Sequence, residues 1–220
     1  MKNSPLIAVC LLLLLCTACE KYTAAYEADA SGDGDEDISE RDGDEAESAE
    51  DTENGENGYD YPPGPYGGEI GDIMADWTLL DCDGREVSLS DYYGTATAIL
   101  INSSAGWCTY CRRETPKLQE WHTEYAGDGL VILQALFENN AARPADAAFC
   151  TGWRDQYELT YPVLVDPEKI FSDYYLIPGQ TGGTPLSVVL DSGMKIRFKH
   201  EGDISDSILE RILKLLEDGR

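Results

Sequence analysis

Short apolar runs separated by turn-forming residues predict a β-hairpin near each end of a region that begins at residue 69. Residues 77–80 and 86–89 are two such runs, and the Asp-Cys-Asp-Gly stretch between them contains an Asp-Gly pair that favours a tight turn. Residues 186–190 and 195–200 repeat the pattern around an Asp-Ser-Gly turn. We therefore expect an N-terminal hairpin and a closing hairpin near the C-terminus.

Between the two hairpins, fully apolar runs alternate with longer segments of helical spacing. The runs 96–102 and 130–137 predict buried strands, and the shorter run 162–165 predicts a third. Helices are expected at 108–126, with Pro116 as the site of a kink, at 144–159, at 167–176 and, with an amphipathic pattern, at 205–217. This alternation predicts parallel core strands, to which the closing hairpin adds antiparallel ones.

The first 19 residues have the pattern of an export signal. A basic start at Lys2 precedes an apolar run, 6–15, which suits a signal-peptide core and is short for a bilayer span. The run ends at Cys-Thr-Ala-Cys, which resembles the bacterial lipobox, although Cys16 replaces the usual leucine. That resemblance implies cleavage before Cys19, a lipid on its sulfur and a membrane-anchored mature chain. An ordinary secretory signal is the alternative, and either signal implies export to a compartment that permits disulfides.

Residues 20–68 lack the apolar residues that a core requires. From residue 20 to 60 there are 17 acidic and two basic side chains, a net charge of −15, and a Pro/Gly-rich adaptor follows at 61–68. We interpret 20–68 as a disordered acidic tether with its adaptor. Five of its residues match the spacing of a calcium-binding loop, namely Asp29, Ser31, Asp33, Gly34 and Glu40, but acidic low-complexity sequence gives such matches by chance. Residues 61–220 carry a net charge of −12, which argues against a nucleic-acid partner.

Candidate chemistry lies where the first buried strand gives way to a helix. There, Trp107 precedes a Cys-x-x-Cys pair, Cys108 and Cys111. A cysteine at a helix start lies near unpaired backbone N–H groups and the positive end of the dipole, which favour its thiolate, so Cys108 is the predicted nucleophile. One turn further on, Cys111 can attack a mixed disulfide at Cys108, which makes it the predicted resolving thiol.

A Cys-x-x-Cys pair is also half of a tetrahedral zinc site, which needs two more ligands. Cys82 and Cys150 stand alone in the sequence, and His122 and His200 are far apart, so we favour redox chemistry without a metal and interpret both histidines as surface or core residues. Whether Cys82 and Cys150 form a structural disulfide stays open, because the pair needs Cα atoms within about 7 Å of each other.

The order of elements around the Cys-x-x-Cys helix resembles the thioredoxin fold over about residues 71–216. Motifs of the redoxin (AhpC/TSA-like) branch are matched by Gly-Asp at 71–72, Asp-Trp at 76–77, Asp-Gly at 83–84 and Val-Ser-Leu-Ser-Asp-Tyr at 87–92. Asn102, six residues before Cys108, and the run from Cys111 to Leu118 resemble the membrane-anchored TlpA/ResA-type thiol-disulfide oxidoreductases. The resemblance implies an α/β, thioredoxin-like domain over 69–220, with a central mixed sheet flanked by helices.

The same resemblance implies roles for residues around the thiols. An acid at the position of Glu114 tunes the thiols in that subfamily, and a partly buried carboxyl could take the proton of Cys111; a solvated helix glutamate is the alternative. Thr184-Pro185 resembles the cis-proline of this fold, which would leave the Thr184 backbone free to pair with an extended substrate. Trp107 is expected to form an apolar lip, with simple packing as the alternative.

Four positions depart from the patterns of related proteins. An aromatic residue is usual where Ser104 stands, and a proline is common where Tyr110 stands, so the redox potential cannot be inherited from the family. The peroxidase relatives carry a Pro-x-x-x-Thr-x-x-Cys motif, whereas Ile101 and Ala105 occupy the proline and threonine positions here. A peroxiredoxin mechanism is therefore not expected.

These features together predict an extracytoplasmic, lipid-anchored enzyme that reduces protein disulfides through Cys108 and Cys111 without a bound cofactor. Its expected partners are protein disulfide or dithiol clients and an upstream thiol electron donor, and we expect a monomer. The alternative is a redox-silent, thioredoxin-fold lipoprotein that acts as a binding module. The sequence does not identify the client, the donor or the membrane.

Overall fold

The structure is a computed structural model, and it describes residues 60–171 and 183–219. The strands in those residues are β1 (Thr78–Asp81), β2 (Glu86–Ser88), β3 (Ala98–Ala105), β4 (Leu130–Glu138), β5 (Val163–Val165), β6 (Leu186–Asp191) and β7 (Ile196–Glu201). The longer helices are α1 (Thr109–Tyr125), α2 (Ala147–Gln156) and α3 (Asp206–Asp218). None of the helices in these residues has the length and apolar character of a membrane span.

The strands form one mixed sheet in the order β2-β1-β5-β4-β3-β6-β7. Strands β5, β4 and β3 are parallel neighbours in its centre. The hairpins β1-β2 and β6-β7 flank this centre, and each pairs with it antiparallel, β1 with β5 and β6 with β3. The predicted parallel core with a hairpin on each side is confirmed.

Both faces of the sheet are covered, which explains why all eight residues of β3 are buried. One face packs against the three helices through residues such as Leu118, Trp153 and Ile212. The other face packs against residues from the start of the domain, such as Met74, and against Phe171, which follows β5. The site described below lies at the end of β3, between the sheet and α1.

Strand β3 is longer than the sequence pattern predicts. The apolar run suggests an end at residue 102, whereas the strand continues to Ala105 and buries Asn102, Ser103 and Ser104. Asn102 and Ser104 tolerate burial because their side chains are hydrogen-bonded to each other at 2.7 Å. The buried polar residues at the end of β3 therefore indicate a polar site inside the domain.

Helix α2 is shorter than the predicted segment 144–159. It starts at Ala147 because the Asp146 carboxylate caps it, accepting the backbone N–H of Phe149 at 2.8 Å. Beyond its end, Glu158 has a φ of 53°, outside the helical region. Helix α1 runs through Pro116 as one element, and a kink there stays a prediction. In the predicted helix 167–176, Lys169 has a φ of 58°, so the first residues are not helical. The second half of that helix, the signal segment and the acidic tether with its calcium-like loop lie outside the described residues.

The chain enters the domain along the outer edge of β7. Gly71 N donates to Ile196 O at 2.8 Å, Ile196 N donates to Asp72 O at 2.9 Å, and Met74 N donates to Met194 O at 2.9 Å. We refer to residues 71–74 as the entry segment. It covers part of an edge strand whose backbone groups would otherwise lack partners.

A disulfide joins Cys82, in the turn of the N-terminal hairpin, to Cys150 in α2, and their Cα atoms are 5.1 Å apart. Cys82 is 6% exposed and Cys150 is fully buried. The bond links parts of the chain 68 residues apart. The pairing that the sequence left open is therefore present.

Candidate active site

Cys108 is the N-cap residue of α1, directly after β3 and the turn at Gly106 and Trp107. Its Sγ accepts the backbone N–H of Cys111 at 3.1 Å, which is the capping contact that a helix start offers. Cys108 and Cys111 are joined as a disulfide, with Cα atoms 5.3 Å apart. Cys108 is 3% exposed and Cys111 is fully buried, so an attacking thiol has better access to Cys108.

Thr184 lies against both sulfurs, and the Thr184–Pro185 peptide bond is cis, as expected. Cys108 Sγ is 3.5 Å from Thr184 O, and Cys111 Sγ is 3.5 Å from Thr184 Oγ1. The Thr184 hydroxyl also donates to Ser103 O at 3.3 Å, which ties this loop to β3. The segment before β6 thus forms one wall beside the disulfide.

Trp107 is held at the surface beside the disulfide, with 42% of its area exposed. Its indole Nε1 donates to Glu138 Oε2 at 2.6 Å, and Lys169 Nζ donates to Glu138 Oε1 at 2.5 Å. These two contacts lower the pKa of Glu138, that of Lys169 more than that of Trp107. The Trp107 ring meets Phe137 edge-on at a centroid distance of 6.5 Å. The indole ring is therefore restrained, and its exposed surface can form a lip beside the disulfide.

Glu114 is buried beneath the thiols, one turn after Cys111 on α1, and only 1% of its area is exposed. Asn102 Nδ2 donates to its Oε1 at 2.8 Å, and Ile204 N donates to its Oε2 at 3.0 Å. Burial raises the pKa of Glu114 to about 8, although these two hydrogen bonds oppose the rise. The solvated alternative for Glu114 does not fit this position. The carboxyl can hold or release a proton near neutral pH.

Further polar side chains continue inward from Glu114 under the sheet. We call the hydrogen-bonded set of Glu114, Asn102, Ser104, Gln134, Trp153 and Tyr161 the buried polar network. In the sequence, Asn102 and Ser104 stand out only as family positions, and Gln134, Trp153 and Tyr161 do not stand out as neighbours of Glu114. The available signal was Gln134, a long polar residue in the middle of an otherwise apolar strand.

The predicted site residues therefore come together: Trp107, Cys108, Cys111, Glu114, Thr184 and Pro185 all surround the end of β3. Cys19 lies outside the described residues. Cys82 and Cys150 form their own disulfide and do not join this site. Within residues 60–171 and 183–219 there is no group of three or more His, Cys, Asp or Glu arranged to hold a metal ion.

Comparison with known proteins agrees with this architecture. The AhpC/TSA family model matches residues 70–199. The thioredoxin-like protein YneN of Bacillus subtilis is 29% identical over 149 residues, which cover 68% of this chain and 81% of YneN. The thiol-disulfide oxidoreductase ResA of Bacillus thuringiensis is 29% identical over 147 residues, covering 66% of this chain and 78% of ResA.

Solved structures share the fold at lower identity. A putative thiol:disulfide interchange protein DsbE from Chlorobium tepidum superposes with a TM-score of 0.56 at 22% identity, covering 67% of this chain and 98% of that one. A putative protein disulfide isomerase from Bacteroides thetaiotaomicron gives 0.57 at 24% identity, with coverages of 69% and 92%. The predicted thioredoxin-like fold is confirmed.

A thioredoxin-like fold with a Cys-x-x-Cys pair at the start of α1 defines a thiol-disulfide oxidoreductase. The chain belongs to the AhpC/TSA family, and its relatives include proteins named ResA and YneN. These findings favour the enzyme over a redox-silent binding module.

Proposed function

We propose that the chain is a lipid-anchored, extracytoplasmic reductase of protein disulfides, with Cys108 and Cys111 as its redox couple. The observation that carries the proposal is the position of Cys108 as N-cap of α1, where its sulfur accepts the Cys111 N–H at 3.1 Å. The same amide would stabilise a Cys108 thiolate after reduction. Cys108 is therefore the nucleophile.

Turnover proceeds through two exchange steps. The Cys108 thiolate attacks a client disulfide, forming a mixed disulfide and releasing one client thiolate. Cys111 then attacks Cys108 Sγ, which restores the Cys108–Cys111 disulfide and releases the second client thiolate. The client gains two electrons and, on protonation, two protons. An upstream thiol donor returns the couple to the dithiol.

Glu114 accepts the proton of Cys111 during the second step. Its burial and raised pKa of about 8 suit it to this exchange, because a general base is most effective when its pKa lies near the working pH. Trp107 and Thr184 border Cys108 on two sides, which supports their role in holding an extended client segment.

Insulin reduction by the full chain in detergent, with dithiothreitol as donor, tests the activity. We expect turnover by the unaltered chain. Cys111→Ser should accumulate a mixed disulfide through Cys108, because only the resolving step is lost. An inactive Cys111→Ser chain that forms no adduct with a disulfide-containing client would contradict the assigned roles.

The proposed anchor is a lipid on Cys19, supported by the lipobox-like sequence before it. The buried Cys82–Cys150 disulfide supports an oxidising compartment. Cys19→Ala should move the protein from the membrane fraction to the soluble fraction of cells. Cys10→Ala is the matched control, because it removes a cysteine of the signal segment outside the Cys-Thr-Ala-Cys motif and leaves the modified residue in place. Membrane association of Cys19→Ala equal to that of the control would overturn the anchor.

A further inference from the structure

The buried polar network has a fixed hydrogen-bond direction that starts at Trp153 in α2. An indole N–H can only donate, and Trp153 Nε1 lies 3.0 Å from Gln134 Oε1. The atom of Gln134 that faces Trp153 must therefore be the carbonyl oxygen. The hydroxyl of Tyr161, 3.1 Å from the same oxygen, could donate or accept and would fit either orientation of the amide.

The orientation of Gln134 in turn fixes that of Asn102. With its oxygen toward α2, the Gln134 amide directs Nε2 toward β3 and α1, where it donates to Asn102 Oδ1 at 3.1 Å and to Thr115 Oγ1 at 3.1 Å. The Thr115 hydroxyl donates in turn to Cys111 O at 2.7 Å, so its oxygen is an acceptor for Gln134. An amide nitrogen is a donor only, so the Asn102 atom at this position must be oxygen. The Ser104 hydroxyl adds a second donor to that oxygen at 2.7 Å.

The amide group of Asn102 consequently presents its nitrogen to Glu114. Its Nδ2 donates to Glu114 Oε1 at 2.8 Å and to Ser187 Oγ at 3.3 Å. A donor at this position favours the carboxylate, whereas a rotated amide would offer oxygen and favour the protonated acid. The direction set by Trp153 on one side of the Gln134 amide and by Thr115 on the other thus decides which form of Glu114 its neighbour stabilises.

We propose that Trp153 acts, through Gln134 and Asn102, as a remote positioning residue for the acid–base group of the thiol site. The inference rests on the proposed function of Glu114. It adds residues of α2 and β4 to the machinery, although none of them touches the sulfurs. The polar side chains buried under the sheet then serve to adjust the acid–base behaviour of Glu114.

The second disulfide supports this arrangement. Cys150 lies three residues before Trp153 on α2 and is bonded to Cys82 in the hairpin turn. Trp153 itself is only 3% exposed and packs against Tyr157 at a ring-centroid distance of 4.8 Å. Helix α2 is therefore fixed near the indole by the disulfide to the hairpin turn and by the hydrogen bond from Trp153 to Gln134 on β4.

Other titratable groups around Glu114 act on it independently of the network. Asp203, between β7 and α3, raises its pKa, and Arg113 on its own helix lowers it. Within the network, Tyr161 lies in the segment before β5, where burial and, after it, the charge of Glu114 raise the pKa of its phenol well above the usual range. Cys111 lies one turn away on α1. The groups of β3, β4 and β6 that are hydrogen-bonded in this region are the neutral side chains of Asn102, Ser104, Gln134 and Ser187.

The test measures the pKa of Glu114 itself in the full chain with its disulfides formed. A ¹³C NMR titration of the glutamate carboxyls, assigned by the signal lost in Glu114→Gln, provides it. Trp153→Phe removes the obligate donor and keeps an aromatic ring, and we expect the pKa of Glu114 to rise by about one unit. Ser104→Ala, a smaller change that removes one donor to Asn102, should raise it by less.

Trp121→Phe is the matched control, because Trp121 belongs to the same core cluster but not to the buried polar network. The pKa of Glu114 should stay unchanged in this variant. A Glu114 pKa that stays at its original value in folded Trp153→Phe and in Ser104→Ala, or that moves equally in Trp121→Phe, would overturn the inference. If the pKa moves as expected while Glu114→Gln leaves the pH profile of insulin reduction unaltered, the positioning holds and the proposed role of Glu114 fails.

Discussion

Two disulfides of the same domain lie in different surroundings. At the Cys108–Cys111 pair, Cys108 Sγ also lies 3.5 Å from a carbonyl oxygen, that of Thr184, but it accepts a backbone N–H at the start of a helix at 3.1 Å. At the Cys82–Cys150 pair, both sulfurs face the carbonyl oxygen of Val163, at 3.6 and 3.4 Å. An amide donor stabilises a thiolate, whereas a carbonyl oxygen repels one.

We infer from this difference that the position of each cysteine in the fold, and not the S–S bond itself, decides which disulfide is redox-active. Cys150 lies inside α2, where its own N–H is already bonded to Asp146 O at 2.9 Å. Cys108 lies at a helix start, beside the half-exposed ring of Trp107 and above a buried carboxyl. The same bond therefore serves as a reactive centre in one place and as a structural link in the other.

The sharpest test of this comparison is to remove each pair in turn and measure insulin reduction. Cys108→Ser should lower turnover by roughly 100-fold or more, because no other nucleophile lies at the helix start. Cys82→Ser/Cys150→Ser should retain most of the activity at a temperature where it stays folded. A comparable loss in both variants would mean that the second disulfide takes part in turnover.

Stability should rank the two disulfides in the opposite order. Removal of the Cys82–Cys150 bond by Cys82→Ala/Cys150→Ala should lower the free energy of unfolding by about 4 kcal/mol, since it opens a long loop. Cys108→Ala/Cys111→Ala opens a loop of a few residues and should cost about 2 kcal/mol. Urea denaturation of both double variants checks the ranking, and equal losses would contradict it.

The pH dependence of stability should reveal the carboxyl beneath the reactive pair. The pKa of Glu114 is raised from 4.5 to about 8 by burial, so the folded protein holds a proton that the unfolded chain releases. Stability from this group is present below pH 4.5 and is lost as pH rises through about 8. The Glu114→Gln chain, measured with its disulfides formed, should therefore gain stability relative to the unaltered chain across that window, on the order of 4 kcal/mol.

Glu120→Gln is the matched control for that measurement, because Glu120 is an exposed glutamate of the same helix. We expect this variant to follow the unaltered chain at every pH. A Glu114→Gln curve that runs parallel to the control would show that the buried carboxyl does not titrate in this range.

The smallest expected effect concerns Trp107, whose ring forms the lip beside the Cys108–Cys111 pair. The Cys82–Cys150 pair lacks such a lip. Glu138→Gln keeps a hydrogen-bond acceptor for Trp107 but removes the ion pair with Lys169. The indole should become more mobile, and KM for a peptide disulfide should rise by about twofold to threefold with kcat unchanged. A lowered kcat at constant KM would place Glu138 in the chemistry instead.

The sequence predicted the secondary-structure elements that carry this site better than it predicted the hydrogen-bond partners buried inside it. Apolar periodicity and the helix-start position of Cys108 are local signals, so the strand, the helix and the candidate nucleophile were readable. The partners of Glu114 were not, because Asn102 and Gln134 are 32 residues apart and meet only when β3 and β4 pair. The Cys82–Cys150 bond was open for the same reason, since a sequence separation of 68 gives no distance in space.

The entry segment has a mechanical consequence. If the chain is pulled from its N-terminal side, the load meets the contacts of Tyr61 and Gly68, and then the hydrogen bonds between residues 71–74 and the edge of β7, before it reaches the rest of the sheet. Strand β7 is separated from β3 by β6, so the first bonds to rupture are not those that carry Cys108. Under the proposed membrane anchor, a few residues at this edge can separate from the sheet under tension while the geometry around Cys108 and Cys111 is kept.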